Sequence, residues 1–357
     1  MNSREEKLLI ELLKEKDTKD AYKNINWKTF IELCYYHRIT GFVSKKINKD
    51  LAPKKFLEEL QETNKKIALK NMILNKEMIS LFAELERKKI DVIALKGMAL
   101  NQLLYPESFS RVSSDIDFLI KEKDYPKIKK VMKEKKFMSA SASLWEKMPS
   151  FLRNSLFGPF YQNYQHFPAM TKKVNGFNCI LEPHRKLFFP VNCFSIDLDE
   201  VWKNSRKIKS IQIPGNEDLT IIAVLSTVYQ HAFYGMFEAL VDVKNLLPKI
   251  NYKKLKEKTI KYNAIEPMIY FNELLKEVFD EEMGGIKELE KNSDKKRLSY
   301  LRKNSLEKTV KIKNHLFYNF RKTKTRFYWT RNLQEKIRAV FFVFIMPILW
   351  KTKTNAG

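Results

Sequence analysis

Glycine is scarce in this chain: nine residues in 357. Sandwiches and barrels draw on glycine for their many tight turns, so this scarcity argues for helices. Cysteine is scarcer still. Cys34, Cys179 and Cys193 are odd in number and show no C-x-x-C spacing, which suggests neither a disulfide framework nor a zinc site and fits a reducing cytoplasm. The start, Met1 to Lys7, lacks the apolar core of a signal peptide. One apolar stretch near the end, 339–350, falls short of the roughly 20 residues a membrane-spanning helix needs, and Pro347 interrupts it. Acidic residues are in deficit too: 42 Asp and Glu against 67 Lys and Arg leave a net charge of +25.

What is present describes a globular protein, with 44% hydrophobic and 31% charged residues in a chain long enough for two domains. The positive field favours polyanionic partners: nucleotides, nucleic acid or an anionic membrane surface. About half of the excess lies in residues 291–338, where 16 Lys and Arg face Asp294, Glu307 and Glu335. With the apolar stretch after it, this tail (291–357) can lie on an anionic membrane surface or dock on the protein's own core. Charge alone does not favour a nucleic-acid partner.

Along the chain, residues 1–89 read as helical. Leu8, Leu9, Leu12 and Leu13 recur at helical spacing, as do Phe30, Leu33 and Cys34, and 54–89 reads as one long helix or two stacked ones. His37 reads as a surface or packing residue. Residues 90–214 carry the α/β pattern. Strand 91–95 ends at Lys96-Gly97 and runs into helix 97–104; strand 115–120 follows, then a helix over 124–135. Stretch 140–160 has poor signal and reads as an insertion that covers the site or carries acceptor specificity. Segments 161–171 and 176–184 read as a strand pair across Asn175-Gly176, a strong tight-turn signal. Pro183 cannot donate to a ladder, which puts it at a strand end or on an edge. Ile208, Ile211 and Ile213 suggest one short strand. Residues 215–285 form a helical lobe, with Asn216 or Asp218 as the first cap, and 286–357 form the basic tail.

The chemistry concentrates at Asp115-Ile-Asp117. Side chains alternate along a strand, so both carboxylates share one face. Two like charges side by side call for a positive partner, and Mg2+ with substrate phosphates is the usual one. A solvated pair on an edge strand is the plain alternative. Lys96 and Gly97 stand where a strand meets a helix N-terminus, a place that attracts phosphate through free backbone N–H groups. Arg111 can clamp a triphosphate bidentately, with pairing to Glu107 as the rival.

These residues resemble the DNA polymerase beta-like nucleotidyltransferase superfamily, and within it an uncharacterised bacterial branch with L-K-G and R-x-x-x-D-I-D. The matching residues are Leu95-Lys96-Gly97, Arg111 and Ser114-Asp115-Ile116-Asp117. Two later stretches resemble the same branch: Leu181-Glu182-Pro183-His184-Arg185-Lys186-Leu187, and Glu217-Asp218-Leu219 followed by His231 and Val241-Asp242-Val243. Two departures stand out. The superfamily's common Gly-Ser is Lys-Gly here, which bears on triphosphate binding, and Arg185 replaces a tryptophan on the acceptor side.

The resemblance implies an α+β fold: a small mixed-sheet palm flanked by helices, with N-terminal helices and a C-terminal helical lobe. It implies a nucleotidyltransferase that moves a nucleoside monophosphate from an NTP to a hydroxyl or phosphate acceptor. Two Mg2+ ions (or Mn2+) would be held by Asp115, Asp117 and Glu182, the last by family position. Lys96, Gly97, Arg111, Ser114, His184, His231 and Asp242 would line the nucleotide. His184 can bond a phosphate, orient Glu182 or pack; His231 and Asp242 can face the cleft or form a buried pair. Relatives resemble accessory enzymes of surface-polysaccharide or peptide natural-product pathways, a setting that suits a cytoplasmic protein peripheral to the membrane. The competing expectations are a non-catalytic nucleotide- or RNA-binding module and a membrane-surface scaffold.

Overall fold

The computed structural model describes residues 3–16, 18–105, 107, 110–139, 166–188, 194–231, 233 and 235–303. The insertion at 140–160, Cys193 and the apolar stretch 339–350 lie outside the described residues. No described helix is long and apolar enough to cross a membrane. The chain divides into two compact units. One gathers the described residues of 1–72, 100–113 and 216–303; the other gathers 73–99 and the described residues of 114–215.

The first unit is helical. It contains α1 (Arg4–Leu13), α2 (Trp27–Tyr36), α3 (Thr40–Lys46) and the first half of the 34-residue α4 (Lys54–Arg87). Ser3 caps α1: its hydroxyl accepts from the backbone of Glu6, whose carboxylate reaches back to the backbone of Ser3. Leu8, Leu9, Leu12 and Leu13 are all buried, as the helical spacing predicts. After residue 215 come helices Asn216–Leu225, Met236–Leu246, Tyr252–Lys261, Ile265–Phe279 and Lys295–Lys303. A π-helical turn, Ser226–Gln230, ends the first of these where periodicity alone would continue it to Val228. Asp218 is not a cap. It is buried, accepts from Lys258 Nζ at 2.6 and 2.7 Å and from the Tyr262 hydroxyl at 3.1 Å, and so ties two helices together.

His37 is a packing residue. It is fully buried, with the ring of Phe237 4.4 Å away, and neither ring nitrogen has a hydrogen-bond partner among the described residues. Burial lowers its pKa from 6.5 to about 3, since the imidazolium would lose its hydration. The unfolded chain therefore binds a proton between these values that the folded chain does not. Stability is full above the unfolded value and falls as pH drops below it. Replacing His37 with Leu is expected to remove about 2 kcal/mol of the stability lost between roughly pH 7 and pH 5. Urea midpoints of both proteins at the two pH values check this.

The second unit holds the sheet. Its strands run in the order β1 (Val92–Ala94), β2 (Ile116–Ile120), β5 (Phe177–His184), β4 (Met170–Val174), β3 (Met138–Ser139). The β2–β5 pair is parallel and the others are antiparallel, so the sheet is mixed. The second half of α4 buries Leu74, Met78, Leu81 and Leu85, and Phe82 sets its ring 5.7 Å from that of Phe118 on β2. The amphipathic α6 (Tyr125–Glu134) buries Ile128, Val131 and Met132. This is the α+β palm arrangement with flanking helices that the polymerase beta-like resemblance implies.

The sheet corrects two local expectations and meets a third, the strand-end position of Pro183. Lys172, Lys173 and Val174 belong to β4, and the turn is the two residues Asn175 and Gly176 alone, at φ 49° and 83°. Two left-handed residues in succession are what a tight antiparallel hairpin needs, and Asn-Gly adopts them readily. Pro183 stands near the end of its strand, but β5 is central rather than an edge. Its missing N–H is tolerated there, and its carbonyl accepts from Phe167 N at 2.8 Å. Ile208 and Ile211–Ile213 belong to two strands, β6 (Arg206–Ile208) and β7 (Ile211–Ile213), paired as a separate hairpin.

Candidate metal centre

Strand β2 is buried along its whole length, and its one charged side chain is Asp117. The parallel register sets Asp117 beside Glu182, and Leu119 beside His184. Residues two apart on a strand share a face, so Glu182 and His184 both turn toward Asp117. The result is compact: one ligand atom each from Asp117, Glu182 and His184 all lie within 4.8 Å of one another. His184 is fully buried, and its Nε2 lies 2.6 Å from Asp117 Oδ1.

Lys96 enters the same cluster from β1. Leu95 N donates to Asp117 O at 2.9 Å, keeping the two strands in step. The chain then turns through a left-handed Lys96 (φ 47°) into α5 (Lys96–Leu104). The turn's positive φ thus falls on the lysine rather than on Gly97. Its Nζ reaches Asp117 Oδ1 at 3.1 Å. Burial alone would lower the Lys96 pKa, but the charges of Asp117, Glu182 and Asp115 outweigh it and raise the pKa. Asp117 shows the converse. Burial favours its neutral form, yet the Lys96 charge and the His184 hydrogen bond prevail and hold the carboxylate well below its usual range. Its contribution to stability is present above the unfolded carboxylate value and is lost only in strong acid, as pH falls through the depressed folded value.

Asp115 stands in a bend just before β2, half-buried and outside the converging trio of Asp117, Glu182 and His184, and its charge acts on Lys96. Ser114 precedes it, also half-buried. Arg111, His231 and Asp242 belong to the other unit. There Arg111 Nε lies 3.0 and 2.9 Å from the two carboxylate oxygens of Asp242, and Arg111 Nη2 is 3.6 Å from Glu238. Asp242 also accepts from the Tyr105 hydroxyl at 2.6 Å. Glu107, the expected rival partner of Arg111, pairs instead with Lys45 at 2.7 Å. His231 is exposed, whereas Asp242 is buried.

Two residues near these sites were not legible in the sequence. His166 forms an isolated bridge with His184 and brings its Nε2 to 3.9 Å from Glu182 Oε2. Asn71 interrupts the apolar stripe of α4; it donates to Arg111 O at 2.7 Å and accepts from Ser113 N at 3.2 Å, fixing the segment before Asp115. A buried asparagine in a helical stripe was the one available signal. Arg185, in place of the expected tryptophan, is buried, bonds Glu122 at 2.8 Å and lies 4.7 Å above the Phe167 ring.

The family model described as "Uncharacterised nucleotidyltransferase" matches residues 23–280, well over half of the chain. The chain belongs to this family. Its place is within the polymerase beta-like nucleotidyltransferases. A search of curated proteins returns no match. Among solved structures, an antigenic nucleotidyltransferase-like protein from Paracoccidioides brasiliensis is similar at 16% identity over 58% of this chain and 97% of that one, with a TM-score of 0.32. So low a score carries no argument.

Chemically, the cluster suits a divalent cation. Its donors are hard carboxylate oxygens and one imidazole nitrogen, and the half-buried ammonium of Lys96 already stands beside them as a cation.

Proposed function

We propose that the chain is a divalent-metal-dependent nucleotidyltransferase that moves a nucleoside monophosphate from an NTP to a hydroxyl or phosphate acceptor. One observation carries the reading: Asp117, Glu182 and His184 bring ligand atoms within 4.8 Å of one another, and the Lys96 ammonium, on which the charge of Asp115 also acts, lies 3.1 Å from Asp117 Oδ1. Three carboxylates against one ammonium leave two negative charges, the complement of one divalent ion, and phosphate brings the need for a second. Asp115, Asp117 and Glu182 would hold Mg2+, two ions in the working complex. The ions would neutralise phosphate charge and activate the acceptor oxygen.

The chain's own residues do the rest. With the carboxylates engaged by metal, Lys96 is freed to pair with the β- or γ-phosphate as a point charge. Gly97 and Ser114, at the mouths of α5 and β2, line the triphosphate. In the transfer, the acceptor oxygen bonds to the α-phosphorus while the bond from that phosphorus to the bridging oxygen breaks. Pyrophosphate leaves with the electron pair. A hydroxyl acceptor's proton passes to Glu182, the more exposed of the two paired carboxylates, with 25% of its side chain accessible against 7% for Asp117. Positioning and charge neutralisation supply most of the acceleration in such transfers.

Calorimetry of the four NTPs with Mg2+ tests the reading, on the full chain and on Asp115→Ala/Asp117→Ala. Metal-dependent binding of one NTP, lost in the double variant, is expected and identifies the donor. Absence of metal-dependent binding by any NTP overturns it.

A further inference from the structure

We infer that His184 is itself a metal ligand through Nε2, beside Asp117 and Glu182, so that the centre selects Mn2+ over Mg2+. This rests on the proposed metal-dependent reading and deepens it by naming the ligand set and hence the ion. The argument lies in the hydrogen bonds of the ring. His184 Nδ1 is 3.2 Å from the backbone carbonyl of Lys186, and Nε2 is 2.6 Å from Asp117 Oδ1. Nδ1 faces a carbonyl, to which an Nδ1–H donates, and Nε2 faces a carboxylate oxygen. In that arrangement a cation shared by Nε2 and Oδ1 takes a lone pair from each, while the Lys186 carbonyl holds the far side of the ring.

A backbone carbonyl that fixes the far nitrogen is the usual support of a metal-bound histidine. The burial of His184 and its seat on a central strand hold the ring in place. The three donors already converge from adjacent parallel strands without any rearrangement of backbone. An imidazole nitrogen in the shell disfavours Mg2+, which keeps to oxygen donors, and favours first-row transition ions.

The test uses the metal alone. The full chain is titrated with Mn2+, followed by electron paramagnetic resonance, with Mg2+ as competitor. The bound Mn2+ is expected to show electron spin-echo modulation from an imidazole 14N and to bind at least tenfold more tightly than Mg2+. In His184→Asn the nitrogen modulation is expected to vanish and Mn2+ affinity to fall at least tenfold. Bound Mn2+ without nitrogen modulation overturns the inference, as does modulation that persists in His184→Asn, which would assign the nitrogen to another ring. His166→Asn, in which the modulation is expected to persist, keeps the assignment testable if His184→Asn fails to fold, and its loss there overturns the inference. Failure of the transferase reading looks different: Mn2+ bound through nitrogen, with no NTP taken up. Nucleotide taken up on a metal bound through oxygen alone sinks the ligand assignment and leaves the transferase reading intact. No divalent binding sinks both.

Discussion

Asp117→Asn is expected to abolish metal-dependent nucleotide binding and to lower nucleotidyl transfer by on the order of 10³-fold, since a metal supplies several kcal/mol to such a transition state. Asparagine matches aspartate in shape, so the change removes charge and leaves the backbone ladder of β2 in place. That charge is the centre of the cluster: Oδ1 of Asp117 meets both Lys96 Nζ at 3.1 Å and His184 Nε2 at 2.6 Å. Loss of the charge-assisted bond from Lys96 should cost stability by about 1.5–3 kcal/mol. Glu182 and Asp115 still offset the ammonium, which keeps the loss from being larger. Adding Lys96→Met should recover much of this stability without restoring nucleotide binding. That split separates a metal ligand from a structural ion-pair partner. An Asp117→Asn protein that binds NTP with unaltered metal dependence would remove Asp117 from the centre.

Asp242→Ala should act on the fold alone. Asp242 is almost fully buried and accepts from Arg111 and Tyr105. Burial would lower the Arg111 pKa, but Asp242 and Glu238 more than compensate and raise it, so the guanidinium stays charged in every state of the cluster. Removing Asp242 leaves that charge in the interior with Glu238 as its remaining acidic partner, at 3.6 Å. Breaking a buried pair from one side costs about 3–5 kcal/mol. A urea midpoint shift of that size at unchanged slope is the expected measurement. Arg111→Met/Asp242→Leu, which removes both charges and fills the space, should lie much closer to wild type. A loss under about 1 kcal/mol in Asp242→Ala would show that the pair does not hold the fold. Arg111→Met and Asp242→Leu made singly should not sum to the double change, because the two side chains bond each other directly.

The sequence by itself determined the elements that rest on local patterns. The alternating stretch near 115–120 announced a strand, which runs over Ile116–Ile120 and carries Asp117. Asn175-Gly176 announced the hairpin, and the two-residue spacing of Glu182 and His184 put them together. These depend on the 3.6 and 2.0 periods and on turn chemistry, which act over a few residues. Tertiary structure alone decided the partners. Nothing in a linear chain says that β5 is central, and only its parallel register with β2 brings Glu182 beside Asp117. Arg111 could have met Glu107, four residues away, but found Asp242, 131 positions on, because a desolvated guanidinium needs a carboxylate buried with it. Asp218 had the composition of a cap and became the partner of a buried lysine for the same reason. His184 carried three readings in the sequence; burial and a carbonyl behind Nδ1 aimed its other nitrogen at Asp117. Local order was written in spacing, whereas the pairing of charges was settled by which of them the fold removed from water.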